Sequence, residues 1–353
     1  MFYFKNDYSE IAHPEILNAL MAYHITPEEG YGEDRHCMNA ARILRDLIGT
    51  ENVAIHFMTG GTQTNLTAIS TFLRPHEAVI ATHKSHINRH ETGAIEATGH
   101  KVLTVQSKDG KLYPEQIEQI LIEHSDEHMV KPRLVKISNA TELGSVYRKK
   151  ELETLREYCN AKGLLLYMDG ARLGSALQAN FPKEDKMTLS DIAALTDAFY
   201  IGGTKNGAMI GEAFIICNDD LKADFRYLIK QHGGLLAKGA VLGIQFEILF
   251  QNGLYFALAA HANRMAEVLR NSLKEAGVPL LAESDSNMLF PILPNELISE
   301  LEEEFSFYLE EKTDEKHTAI RLVTSWATQE EAVFQLTKRI FDYCSAAQSS
   351  NEA

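Results

Sequence analysis

The chain has 353 residues, 45% of them hydrophobic and 24% charged, a balance that supports a large packed core and excludes wholesale disorder. Its 49 acidic residues outnumber 34 Lys and Arg, for a formal net charge of −15 with histidines neutral. That excess repels nucleic-acid phosphates and anionic membranes, and the densest cationic run, Arg148-Lys149-Lys150, reads as the solvated start of a helix.

From residue 53 onward, short β-rich runs alternate with helical patterns. Residues 53–58 read as a strand, 63–73 as a helix, and 78–82 and 101–106 as further strands. Pro114 suits a first helical turn, and Ile117, Ile120 and Leu121 repeat at helical spacing after it. Residues 133–138 are strand-like, and 149–162 are helical with Gly163 placed to stop the helix. Strands at 164–168, 197–201 and 212–217 continue the alternation. Near-continuous apolar strands separated by helices predict an α/β protein with a mostly parallel sheet covered on both faces.

The last third changes character. Long helices at 236–250 and 254–276 lead to a strand at 287–291, a helix at 295–304, strands at 305–309 and 319–324, and a helix at 329–344. This order predicts a smaller α+β domain over 255–353, after an N-terminal segment and large domain over 1–254. The polar tail 345–353 is expected to fray. Cys37, Cys159, Cys217 and Cys344 stand far apart without a CxxC pair, as expected in a reducing compartment. No basic-then-apolar leader opens the chain, and no run reaches the ~18 apolar residues of a membrane span, so a cytoplasmic protein is expected.

Ligands of open α/β sheets bind beyond the carboxyl ends of strands, so residues that follow a strand carry the most functional information. The first such place is Thr59-Gly60-Gly61-Thr62, where paired glycines admit a ligand close to the backbone and the opening N–H groups of a helix suit phosphate. It is neither a Walker loop nor a dinucleotide GxGxxG, and alone it reads equally as a plain turn. The second is Asp169, followed by Gly170-Ala171-Arg172. A carboxylate at the end of a buried strand needs a cation, either Arg172 or a cation on a ligand. The third is Lys205, framed by Gly202-Gly203-Thr204 and Asn206-Gly207. Desolvation there lowers an amine's pKa and makes it nucleophilic, as Schiff-base chemistry requires; the plain alternative is a surface-turn lysine.

Two histidine patterns suggest metal. His83, His86 and His90 would share one face of a helix, and His124-Ser125-Asp126-Glu127-His128 matches the HxxEH pattern of a zinc-peptidase class. The latter lies in a polar stretch that reads as an exposed helix end. No metal is assigned, and a metal-dependent hydrolase built on His83, His86 and His90 is the remote alternative.

In order, the phosphate-type loop, the strand-end Asp-Gly-Ala-Arg and the glycine-flanked lysine resemble fold-type I pyridoxal-phosphate (PLP) enzymes. The detail resembles the threonine aldolase and aromatic β-eliminating lyase family. The likeness spans nearly the whole chain, from Asn6-Asp7 through Tyr31-Gly32-Glu33-Asp34, Gly60-Gly61-Thr62 and Ser85-His86-Ile87 to Glu91, then Met168-Asp169-Gly170-Ala171-Arg172, Thr204-Lys205 and Arg321-Leu322-Val323-Thr324-Ser325. Thr141-Glu142-Leu143-Gly144-Ser145, with Thr204-Lys205-Asn206-Gly207, is similar to a phenylserine-aldolase-type branch.

Residue by residue, the resemblance implies Lys205 as the lysine that carries PLP, and Asp169 as the partner of its protonated ring nitrogen. His86 would stack on the ring and is a candidate base. Gly60, Gly61 and Thr62 would cradle the phosphate. Arg172 and Arg321 would grip the substrate carboxylate, with Arg172 also bounding the cofactor and Asn6 assisting. Tyr31 would enter from a neighbouring subunit of a homodimer or homotetramer, since sites in this family lie at an interface. Three positions depart from the common pattern. Asn6 stands where many members have Ser. Lys238, after Gly233-Gly234-Leu235-Leu236-Ala237, is the candidate replacement for a phosphate-binding arginine. Glu142 stands where many members have a histidine, and is a candidate base for the substrate hydroxyl. The implied reaction cleaves the Cα–Cβ bond of a β-hydroxy-α-amino acid (L-threonine, L-allo-threonine or a phenylserine) to glycine and an aldehyde. PLP-dependent β-elimination is the alternative.

Overall fold

The order of strands across the main sheet is Ala54–Met58, Glu212–Ile216, Ala198–Gly202, Leu165–Asp169, Lys131–Ser138, Glu77–Thr82 and Val102–Val105. The structure, a computed structural model, describes residues 1–351, with side chains described to residue 346. Glu212–Ile216 runs antiparallel to both its neighbours, and the other six strands run parallel to one another. Four of the strands are buried along their whole length, which is why they read as unbroken apolar runs rather than as alternation. Successive residues feed opposite faces. Ile137, Met168 and Phe199 join a core with Leu44 and Phe246, whereas Tyr167 and Phe214 join another with Ile69 and Phe225.

Local signals explain most helix limits. Pro114 opens Pro114–Glu123, and Lys149–Lys162 stops at Gly163, whose φ of 65° is left-handed. The helices that escape the sequence reading include Pro14–Ala22 and Arg35–Ile48, and the shorter Leu173–Leu177, Leu189–Leu195 and Phe225–Gln231. Of Pro14–Ala22 and Arg35–Ile48, the latter carries its Asp34 cap and an Ala40–Leu44–Ile48 stripe on the face opposite exposed Arg35, Arg42 and Asp46.

After the long helix Leu254–Glu275, a small antiparallel sheet forms from Ile292–Pro294, His317–Val323 and Tyr308–Lys312, with Met288–Leu289 also on His317–Val323. Its core includes Leu269, Leu293, Ile320 and Leu336. The single strand expected at 305–309 is two: Phe305–Ser306 leaves the small sheet to pair in parallel with Phe2–Tyr3. Phe4 follows into the C-terminal core, so the first residues pack with the last third of the chain rather than with the large sheet. Glu330–Asn351 continues as helix into the tail expected to fray from residue 345; residues 352–353 lie outside the described residues. Among the described residues, no single helix is long and apolar enough to cross a membrane.

Candidate active site

The carboxyl ends of the parallel strands open into a cavity of about 300 Å³, lined by residues 59–62, His86, Glu142, Asp169, Arg172 and Lys205. Antiparallel Glu212–Ile216 reaches the same end with its first residue, Glu212. A second cavity of about 610 Å³ shares His86, Glu142, Arg172 and Lys205 and adds Lys84, Tyr308 and Arg321. The helix Gly61–Phe72 starts at the first cavity. Its cap, Gly60, makes no side-chain hydrogen bond, which leaves the first-turn N–H groups to an anion.

Asp169 is brought there by close approach of two strands. A Cβ on Gly170 would stand 1.8 Å from the Tyr200 carbonyl oxygen, so only glycine fits. Asp169 Oδ1 accepts from the Tyr200 hydroxyl and from Ala171 N at 3.1 Å; Oδ2 accepts from Asn65 Nδ2 at 3.2 Å and pairs with Lys136 Nζ at 3.0 Å. Burial pushes the carboxyl up, but Lys136 and the Tyr200 hydroxyl together hold it well below the usual range. The internal pair with Arg172 left open by the sequence does not form. Arg172 turns to Asp7 in a two-pronged contact, Nε to Oδ2 at 2.7 Å and Nη2 to Oδ1 at 3.0 Å, and Asn287 Nδ2 also donates to Asp7 at 3.0 Å.

Lys205 faces the cavity, its Nζ 6.0 Å from the Tyr8 ring centroid, so it is no surface-turn lysine. Desolvation first, and the charge of Arg172 second, lower its pKa against the pull of Asp7, Asp169 and Glu212. The preceding loop is pinned where Gly203 N donates to Glu212 Oε2 at 2.9 Å. Burial pushes the Glu212 carboxyl up to about 8. His86 Nδ1 lies 2.8 Å from Glu91 Oε1, which also accepts from Asn65 Nδ2 at 2.7 Å. Glu142 Oε1 accepts from His86 N and from Ser138 Oγ, both at 2.8 Å.

Other expected residues lie differently. Asn6 Oδ1 accepts from Tyr8 N at 3.0 Å and Ser9 Oγ at 2.8 Å; it shapes a turn and lines neither cavity, while its neighbour Asp7 meets Arg172. Arg321 lines the second cavity 4.8 Å over the Tyr308 ring, and its buried Nε has no hydrogen-bond partner among the described residues. Tyr31 lines a separate cavity of about 410 Å³, with Cys37, His56 and Leu236. Lys238 is exposed beside it, Tyr31 N donating to Ala237 O at 3.3 Å. Neither shares a cavity with Lys205. His83, His86 and His90 do not share a helix face, because His83 prolongs a strand edge through its N–H to Val105 O and the helix covers only His86–Arg89. His124 ends a helix and His128 is exposed. Among the described residues, no group of His, Cys, Asp or Glu is arranged to hold a metal.

The sequence reading missed Lys136, the Asp7 clamp on Arg172, and the roles of Asn65, Glu91, Tyr200 and Glu212. Lys136 had a usable signal, a lone charge inside Leu134-Val135-Lys136-Ile137. The assembled groups fit PLP: a glycine-capped helix start for its phosphate, an ionised carboxylate for its ring nitrogen, an amine of lowered basicity for its aldehyde and an imidazole beside them.

Known proteins resemble the chain over nearly its whole length. Residues 12–295 match the family described as beta-eliminating lyase. The chain is 34% identical to the low specificity L-threonine aldolase of Pseudomonas sp. over 95% of this chain and 96% of that one. It is also 34% identical, over the same shares, to the protein of that name from Pseudomonas aeruginosa. The solved structure of Leishmania major threonine aldolase superposes with a TM-score of 0.95 at 50% identity, covering 98% of this chain and 100% of that one. Thermus thermophilus aspartate aminotransferase, at 16% identity and a TM-score of 0.70, shares the fold alone.

Proposed function

The chain belongs to the beta-eliminating lyase family, and from that premise we propose that it cleaves L-threonine and related β-hydroxy-α-amino acids to glycine and an aldehyde. It is a PLP-dependent carbon–carbon lyase of the fold-type I class. When bound, PLP supplies an electron sink for the bond that breaks. Lys205 offers the amine that holds it, the residue 60–62 turn receives its phosphate, and Asp169 keeps its ring nitrogen protonated.

The chain's own residues then orient and deprotonate the substrate. Arg172, held in place by Asp7, and Arg321, with an uncommitted Nε, take the α-carboxylate. That grip fixes the direction of the Cα–Cβ bond. Glu142, steadied by two donors, accepts the β-hydroxyl proton as the Cα–Cβ bond breaks and the aldehyde carbonyl forms. A proton returned to Cα completes glycine. His86 uses Nδ1 on Glu91, which leaves Nε2 and the ring face toward the ligand. Tyr31 and Lys238 complete the site of a second copy in a homo-oligomer, and the four free cysteines suit a cytoplasmic setting.

The observation that carries this reading is that Lys205, Asp169 and Glu142 line one cavity. Incubating the PLP-loaded protein with L-threonine, L-allo-threonine and phenylserine tests it. Glycine and aldehyde in equal amounts support the reading and rank the substrates. A 2-oxo acid with ammonia moves the reaction to β-elimination, and no turnover of any of the three contradicts it.

A further inference from the structure

Lys136 lies in the middle of Lys131–Ser138, with a side chain that has no solvent exposure. A buried ammonium is costly unless its protons are met. Here Nζ donates to Ser138 Oγ at 2.7 Å and to Ser85 Oγ at 3.3 Å, pairs with Asp169 Oδ2 at 3.0 Å and stands 3.9 Å from Glu142 Oε1. Every one of these contacts touches the active-site wall. Ser85 precedes His86, Ser138 holds Glu142, and Asp169 and Glu142 are the site's two cavity-lining carboxylates nearest the ammonium.

The surrounding charges show why such a cation is needed. Glu91 adds a third carboxylate near the ammonium, with His86 and His90 on the same segment. Arg172 is committed to Asp7, and Lys205 has lowered basicity. Without Lys136, Asp169 and Glu142 would face each other across a low-dielectric cavity with no ammonium between them. We propose that Lys136 is a positioning residue, the shared counter-charge of Asp169 and Glu142 that fixes both carboxylates for their separate tasks. The assignment of those tasks rests on the proposed aldolase reading; the charge-sharing itself does not.

A double-mutant cycle tests it: Lys136→Met, Glu142→Gln and the pair, read first by PLP dissociation constant and by melting of the PLP-free protein. If Lys136 balances two carboxylates, K136M alone leaves both unbalanced, and removing the Glu142 charge relieves it. K136M is then expected to weaken PLP binding about tenfold or more, and the double variant to return to within about threefold of E142Q. Additive effects on both readouts overturn the proposal. Should K136M be insoluble, soluble K136M/E142Q is the supporting result, and insolubility of both beside a folded E142Q is the overturning one. In K136M holoenzyme, kcat for L-threonine falls about tenfold while KM moves less than about threefold, since the arginines that take the carboxylate do not touch Lys136. A KM rise at unchanged kcat counts against it. Absence of glycine in wild-type turnover contradicts the aldolase reading, yet leaves the binding and melting cycle to decide on Lys136.

Discussion

The cavity around Lys205 and the cavity around Tyr31 are built from different kinds of surface. In the first, strand ends bring Asp169, Glu142, Arg172 and Lys205 together, and the three charged residues proposed to act with the lysine are each held by named donors or acceptors. In the second, Cys37, Ala41, Ile55, Phe57 and Leu235 line the cavity together with Arg45, His56 and Arg226, and Tyr31 and Met38 stand 43% and 59% exposed. One chain thus assembles the proposed reacting groups by itself. The second cavity presents large exposed side chains of the sort that another protein surface covers.

The sharpest way to break this contrast is to remove the amine. Lys205→Ala is expected to lower aldehyde release about a thousandfold or more while circular dichroism stays unchanged. Retained turnover would move the chemistry elsewhere. Asp169→Asn keeps the shape but removes the charge that Tyr200, Asn65 and Lys136 converge on, and should lower kcat about a hundredfold. Asp7→Asn removes the partner that aims Arg172; KM for L-threonine should rise about tenfold, and kcat less.

The second cavity is tested by mixing. Lys238→Ala, combined with Tyr31→Ala, should weaken PLP binding several-fold. Combined with Lys205→Ala protein under subunit exchange, it should regain activity in up to about a quarter of all sites, because a mixed dimer holds one undamaged site. No recovery on mixing would place Tyr31 and Lys238 outside the site. The smallest effect concerns Glu212. Its folded pKa of about 8 exceeds the ordinary 4.5, so its contribution to stability is full below 4.5 and is lost as pH rises through about 8. Glu212→Gln stays neutral, and its melting temperature relative to wild type should be a few degrees higher at about pH 9 than at about pH 5.

The degree to which this molecule is legible from sequence follows the same division. Strands buried on both faces leave apolar runs, and Pro114 and Gly163 mark helix ends by backbone geometry, so the large sheet is readable. Arg35–Ile48 carried a usable signal too, an Asp34 cap and an apolar stripe opposite exposed charges, but it lies ahead of the strand alternation that begins at residue 53. Asp169 and Lys205 stand out because each follows an apolar strand in a glycine setting. The Asp7–Arg172 pair has no local signal, since 165 residues separate its members. Lys136 was overlooked because attention to strand ends passes over a charge in mid-strand, where only the fold reveals the carboxylates that receive it.

The central claim, that Lys205 is the residue that carries PLP in the cavity with Asp169 and Glu142, has a direct measurement. The PLP-loaded protein is reduced with borohydride, digested and mapped by mass spectrometry. The account predicts one phosphopyridoxyl group, on the peptide that contains Lys205. A label on Lys136 or Lys238 instead, or none on protein that binds PLP, would contradict it.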